Sequence, residues 1–201
     1  MSLNSIKRLI FFISLLLVIP SAVMAGEATD RIKAVSDKIF SIISDQTLQA
    51  PEMKEKKEKM IMDAVDGAFN WEEFSRRALA KHWSKRTESE KKEFISIFKE
   101  LIKRTYMEKS GQYSGGKVEF LEEKIDGEYG VVKSQLVSST GTQTPVDYRL
   151  MKKDGAWWVY DVYIEGVSLV SNYRSQFNDI LIKSSFDDLI KRLKEKIEKG
   201  V

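Results

Sequence analysis

The sequence predicts an α+β domain, with helices from both ends of the chain packed against one curved antiparallel sheet of about four strands. Three observations predict it. Apolar residues recur at three- and four-residue steps before position 107 and again after Gly166, as one buried helix face requires. Between these regions the apolar residues alternate with polar ones, the period of a half-buried strand. A Lys153-Asp154-Gly155 turn joins the last two alternating runs into a hairpin.

The elements follow in order. Lys7 and Arg8 precede an apolar run from Leu9 to Ile19, then Pro20 and a small-residue stretch ending at Ala25. This is the pattern of an export signal spanning residues 1–25, with Val23 and Ala25 before the cut. The run is shorter than the roughly 20 residues a membrane-spanning helix needs, and no cysteine follows it to accept a lipid. Residues 26–201 are then expected to form a single domain.

Ile32, Val35, Ile39, Ile42 and Ile43 mark the first helix, and Pro51 suits the first turn of the second. The "KEKKEK" run of that second helix reads as a solvated face. Asn70 caps a short helix carrying Trp71, Phe74 and Leu79, and "TESE" at Thr87–Glu90 is a capping box. The helix it opens bears Phe94, Ile97, Phe98, Leu101, Ile102 and Tyr106, and "SGQYSGG" ends it. Strands are expected at 117–125, 129–138, 145–152 and 156–164, with Trp158, Tyr160, Val162 and Ile164 sharing one face of the last. After Gly166, Leu169, Val170, Tyr173 and Phe177 restore helical spacing. Ser185 caps a final helix with Phe186, Leu189, Ile190, Leu193 and Ile197.

Composition narrows the function. Loss of Lys7 and Arg8 with the signal lowers the formal charge from +3 to +1, which gives no electrostatic case for nucleic acid. There is no cysteine and His82 is the one histidine, so thiol chemistry is excluded and no metal-ligand spacing exists. Asp161 and Glu165 on a continuous strand stand roughly 13 Å apart at about 3.3 Å per residue, beyond the roughly 5–9.5 Å of a glycosidase carboxylate pair. The greasy faces of the sheet and helices either fill one core or line a cavity, and periodicity does not separate the two.

The stretch "GAWWVYDVYIEGVSLVSNYRSQF" (155–177) resembles the signature of the MlaC (toluene-tolerance, ABC-transporter auxiliary) family, G-x-W-x-V-Y-D-V-x-x-E-G-V-S-L-V-x-N-Y-R-x-Q-F. "FSRRALAKHWSKRTESEKKEFISIFKELIKRTY" and "FDDLIKRL" are similar to other segments of that family. Two departures stand out: Ala80 where the family commonly has glycine, and the polar "MEKSGQYSG" after Thr105-Tyr106.

The resemblance implies an NTF2-like fold around a deep apolar pocket, in a monomeric periplasmic carrier of diacyl phospholipid without cofactor or metal. It implies shuttling between an outer-membrane lipoprotein complex and an inner-membrane MCE-protein/ABC-transporter complex, maintaining outer-membrane lipid asymmetry. Carried onto this chain, the lipid-binding set is Phe98, Leu101, Ile102, Tyr148, Leu150, Trp158, Tyr160, Val162, Val167, Leu169, Val170, Tyr173 and Phe177. Arg174 is a candidate headgroup or partner contact, and Glu165 and Ser168 are candidate caps after Gly166. Three other readings stay open: a carrier of a hopanoid or other polycyclic lipid, an NTF2-like enzyme using Asp161 as base beside Tyr160 or Tyr163, and a transporter adaptor with a filled interior. The enzyme requires Asp161 inside the pocket.

Overall fold

In a computed structural model, residues 26–107 and 115–199 are described. The expected signal and most of "SGQYSGG" lie outside them. Four helices lead, α1 (Glu27–Ser44), α2 (Lys54–Asp66), α3 (Trp71–Leu79) and α4 (Glu88–Met107). An antiparallel sheet follows, with strands β1 (Lys117–Asp126), β2 (Tyr129–Val137), β3 (Gln143–Lys153), β4 (Ala156–Ile164) and β5 (Val167–Ser168) in that order. Helices α5 (Leu169–Leu181) and α6 (Phe186–Lys199) close the chain. The sheet therefore has five strands. The fifth is a two-residue return that pairs Ile164 with Val167 and Tyr163 with Ser168, too short to show as an alternation.

Local chemistry sets the helix starts. Asn70 accepts from the Glu73 amide at 2.9 Å. The Thr87 hydroxyl accepts from the Glu90 amide at 3.2 Å while the Glu90 carboxylate takes the Thr87 amide at 2.6 Å, a reciprocal capping box. Ser185 accepts from the Asp188 amide at 3.1 Å. Pro51 opens a 3₁₀ turn that feeds α2. Between β4 and β5, Glu165 and Gly166 both take left-handed φ values, 51° and 81°, the conformation of a tight two-residue hairpin turn.

Two hydrophobic clusters result. The larger joins the inner face of the sheet to α3, α4, α5 and α6 and to Ala28 and Ile32 in the first half of α1. Its centre is a set of interlocked rings: Phe98 lies 5.0 Å from Tyr173 and 5.1 Å from Phe177, and Phe94 lies 5.5 Å from Phe177. The smaller cluster, Ile42, Ile43, Leu48 and Ile61, ties the end of α1 to α2. At its other end α1 is fastened to the sheet: Glu123 of β1 accepts from the Thr29 amide at 2.7 Å, and Lys152 of β3 pairs with Glu27 at 2.8 Å.

One irregularity decides which side chains face inward. Between β3 and β4 the register steps from Arg149↔Asp161 to Leu150↔Val159, which leaves Tyr160 as an extra residue. A bulge of this kind reverses the inside–outside alternation. Val159 and Val162 are both buried in the main core as a result.

Candidate ligand cavity

An apolar cavity of about 230 Å³ lies where the two clusters fail to meet. Ile32, Val35, Ser36 and Ile39 of α1 and Met62 and Val65 of α2 form one wall. Tyr148 of β3 and Val162 and Ile164 of β4 form the floor, with Leu169 at the start of α5. Phe69, Trp71, Phe74, Ile102 and Tyr106 close the side. Phe69 stacks on Trp71 at 5.0 Å, so that side is built of packed rings.

Polar atoms at this cavity are few. Burial pushes the Tyr148 phenol up to about 12, with the Ser36 hydroxyl pulling weakly the other way. Burial likewise pushes the Tyr106 phenol up to about 12. Both stay neutral hydroxyls at physiological pH. Lys103 is the single charged residue among those lining the cavity.

The thirteen residues expected to bind lipid divide into three groups. Ile102, Tyr148, Val162 and Leu169 come together at the cavity. Phe98, Leu101, Leu150, Val170, Tyr173 and Phe177 are buried in the main cluster but do not line the cavity. Their side chains close on one another, so the helical spacing that marked them as buried says nothing of a void beside them.

Trp158, Tyr160 and Val167 turn away from the cavity. The bulge puts Trp158 and Tyr160 out of phase with Val162. Trp158 lies under Arg31 at 5.5 Å, and Tyr160 stacks beneath Arg77 at 4.0 Å. Val167 is 57% exposed. Arg174 also stands elsewhere: its Nε donates to the Arg77 carbonyl at 2.9 Å, near the C-terminus of α3, and it does not line the cavity.

Asp161 is buried yet absent from the cavity wall. Its carboxylate accepts from the Val162 amide at 2.8 Å, the Ser168 hydroxyl at 2.6 Å and the Val170 amide at 3.1 Å. With Ser168 accepting from the Ser171 amide at 2.9 Å, it caps the N-terminus of α5. The alternative reading of Asp161 as a base, which requires it inside the pocket, is therefore not met: its oxygens face two amides and the Ser168 hydroxyl, not the cavity. Of the two expected caps, Ser168 serves and Glu165 occupies the turn. Among the described residues no three His, Cys, Asp or Glu side chains gather as a metal site.

The α1 and α2 wall was missed as a site, although its signal was present. Ile32, Val35 and Ile39 form a regular apolar face, and Met62 and Val65 end the charged run of α2. Charge density around "KEKKEK" concealed the second of these.

Fold and site together define a class: an α+β domain that encloses an apolar, chemically bare cavity between a bent sheet and its helices. Over residues 33–195 the chain matches the family model for MlaC protein, and it belongs to the MlaC family. It is 22% identical over 204 residues to the intermembrane phospholipid transport system binding protein MlaC of Haemophilus influenzae, across 97% of this chain and 95% of that protein. Its fold matches that of the phospholipid-binding protein from Ralstonia solanacearum, solved in complex with a phospholipid. The TM-score is 0.76 at 23% identity, covering 87% of this chain and 98% of the other.

Proposed function

We propose that this protein is a periplasmic phospholipid carrier. It takes diacyl lipid into the cavity between α1, α2, α4 and the sheet. It moves that lipid between an outer-membrane lipoprotein complex and an inner-membrane MCE-protein/ABC-transporter complex, with the exposed Arg174 side of the molecule available for docking. Among the described residues no helix is long and apolar enough to cross a membrane.

The observation that carries this reading is the cavity itself. The cavity of about 230 Å³ leaves a continuous apolar wall unfilled by the protein's own side chains, where interiors ordinarily close to the packing density of organic crystals. An unfilled apolar wall of that size fits a protein whose task is to hold hydrocarbon. Two acyl chains with about 30 methylenes represent roughly 24 kcal/mol of transfer free energy at about 0.8 per methylene, so unassisted passage through water is negligible. The cavity is smaller than the roughly 300–1,000 Å³ of ordinary ligand sites, so holding both tails requires the seam between the two clusters to widen. Membership of the MlaC family and the phospholipid names of its relatives support the same cargo.

The test is native mass spectrometry of protein purified from periplasm, followed by lipid extraction. A diacyl phospholipid in fixed stoichiometry is expected. A polycyclic lipid would keep the carrier and change its cargo. Protein that arrives without lipid, and takes none from vesicles, would sink the carrier reading.

A further inference from the structure

Lys103 belongs to the wall of two cavities. One is the apolar cavity described above. The other is a groove of about 390 Å³ between the start of α2 and the end of α4, lined by Glu52, Lys54, Glu55, Glu58, Lys103 and Arg104 beside Pro51. The groove thus carries three acids and three bases and is neutral overall. Where a lysine lines both an apolar and a polar space, its methylene stem suits the first and its ammonium the second.

The charges of this groove are loosely paired. Lys103 stands 3.9 Å from Glu58 and 3.7 Å from Glu100, and Lys54 stands 4.0 Å from Glu58. These are the three longest ion pairs among the described residues. Elsewhere Lys59–Asp63 closes to 2.7 Å and Lys194–Glu93 to 2.9 Å. Neither carboxylate beside Lys103 reaches the roughly 2.7–3.2 Å of a hydrogen bond. The side chains of Lys103 and Glu58 are only 25% and 31% exposed, so a ligand meeting them is partly out of water and its charges count for more.

We propose that this groove is a subsite for a zwitterionic headgroup, an inference that rests on the carrier reading and deepens it. With acyl chains in the apolar cavity, the phosphodiester is the first charged group outside it, and Lys103 is the first cation it meets. Beyond Lys103, Glu58 and Glu55 on α2 and Glu52 in the turn before it accept an ammonium. A neutral groove of alternating sign matches a headgroup carrying one charge of each sign. A headgroup with a phosphodiester and only hydroxyls brings a net negative charge beside three carboxylates and gives the ammonium acceptor no partner. Discrimination then comes from repulsion as much as from attraction.

The experiment loads the mature protein from vesicles holding equal parts of phosphatidylethanolamine and phosphatidylglycerol with identical acyl chains, and reads the headgroup ratio of the captured lipid by mass spectrometry. The wild type is expected to enrich phosphatidylethanolamine about fivefold, the weight of one partly exposed ion pair. Glu58→Gln removes the enrichment, and Glu58→Lys reverses it toward phosphatidylglycerol. Glu128→Lys adds the same charge in the β1–β2 turn, which lines neither cavity, and leaves the wild-type ratio. Captured lipid at the vesicle ratio in the wild type, or a reversal by Glu128→Lys equal to that by Glu58→Lys, overturns the subsite while the carrier stands. If no lipid is captured, the carrier reading fails first and the subsite with it.

Discussion

Filling the cavity separates its use from its mere presence. Val162 stands on the cavity floor, opposite Tyr148 in the sheet register. Val162→Phe adds four carbons at that point. If the ring enters the void, it displaces about four methylenes of bound hydrocarbon, each worth about 0.8 kcal/mol. Retention should weaken by about 3 kcal/mol, roughly a hundredfold. The same ring covers apolar wall that the empty cleft leaves open, so the protein should gain about 1 kcal/mol after some packing strain. For a chain of this size that raises Tm by about 2–4 °C.

Two assays follow the two effects: lipid loaded from vesicles, measured by native mass spectrometry, and thermal unfolding of the lipid-free protein. Loading must fall while Tm rises. Unchanged loading with a raised Tm would mean that the cavity is filled but is not where acyl chains sit. A lowered Tm with unchanged loading would mean that the void cannot accept the ring, which refutes the volume argument at its root.

Three further changes test the frame around the cavity. Ala80 has φ 47° and ψ −121°, a conformation that only glycine adopts without strain, so Ala80→Gly should raise the unfolding free energy by about 1–2 kcal/mol and move the denaturant midpoint up with it; an unmoved midpoint refutes the strain. Asp161→Ala leaves two amides and the Ser168 hydroxyl without their acceptor and should cost about 3 kcal/mol in urea unfolding, with Asp161→Asn milder; a loss below about 1 kcal/mol would show that the cap matters little. The Tyr148 phenol is held by burial at about 12 against an ordinary 10.0, so the folded chain keeps a proton that the unfolded chain releases across that window. Its contribution is whole below about pH 10 and falls by up to about 3 kcal/mol as pH rises to about 12, so Tyr148→Phe should flatten the alkaline loss of stability seen by denaturant titration, and an unaltered slope would refute the assignment.

Much of the fold was legible because it rests on local chemistry. Asn70, the Thr87–Glu90 pair and Ser185 each satisfy first-turn amides with their own side chains, and such caps are visible within four residues of sequence. The strands from 117 to 164 were equally readable, to within two residues at each end. The cavity was not. Phe98 and Ile102 share one helix and one apolar face, yet Phe98 meets Tyr173 and Phe177 while Ile102 meets empty space. Spacing reports that a face is buried, and only the opposing elements decide whether it is also filled. Trp158 and Tyr160 failed for a different reason. A strict two-residue period carries them to the face of Val162, and one extra residue at Tyr160 carries them to the other side. No residue type in "WWVYDVY" announces a bulge.

That bulge also explains the segment whose chemistry looked most suggestive. Tyr160 as an extra residue lets Val159 and Val162 both point inward, which keeps β4 in the core on either side of the irregularity. It also frees Asp161 to leave the ladder's normal alternation and reach the first turn of α5, where its carboxylate holds Ser168 and the Val170 amide. The turn at Glu165 and Gly166 then brings Val167 and Ser168 back beside β4, and the cap fixes where α5 begins. The consequence is the placement of Leu169, which enters the cavity beside Val162 and Ile164. The acid, the glycine and the serine of this motif therefore do structural work, and three aliphatic side chains receive its benefit at the site. The identity of Asp161 suggests proton transfer and its geometry denies it. What the motif encodes is a strand-to-helix corner that holds one wall of an apolar cavity, while in the opposite wall α1 is anchored to the sheet and main core at its start and its end meets α2 through a small cluster of its own.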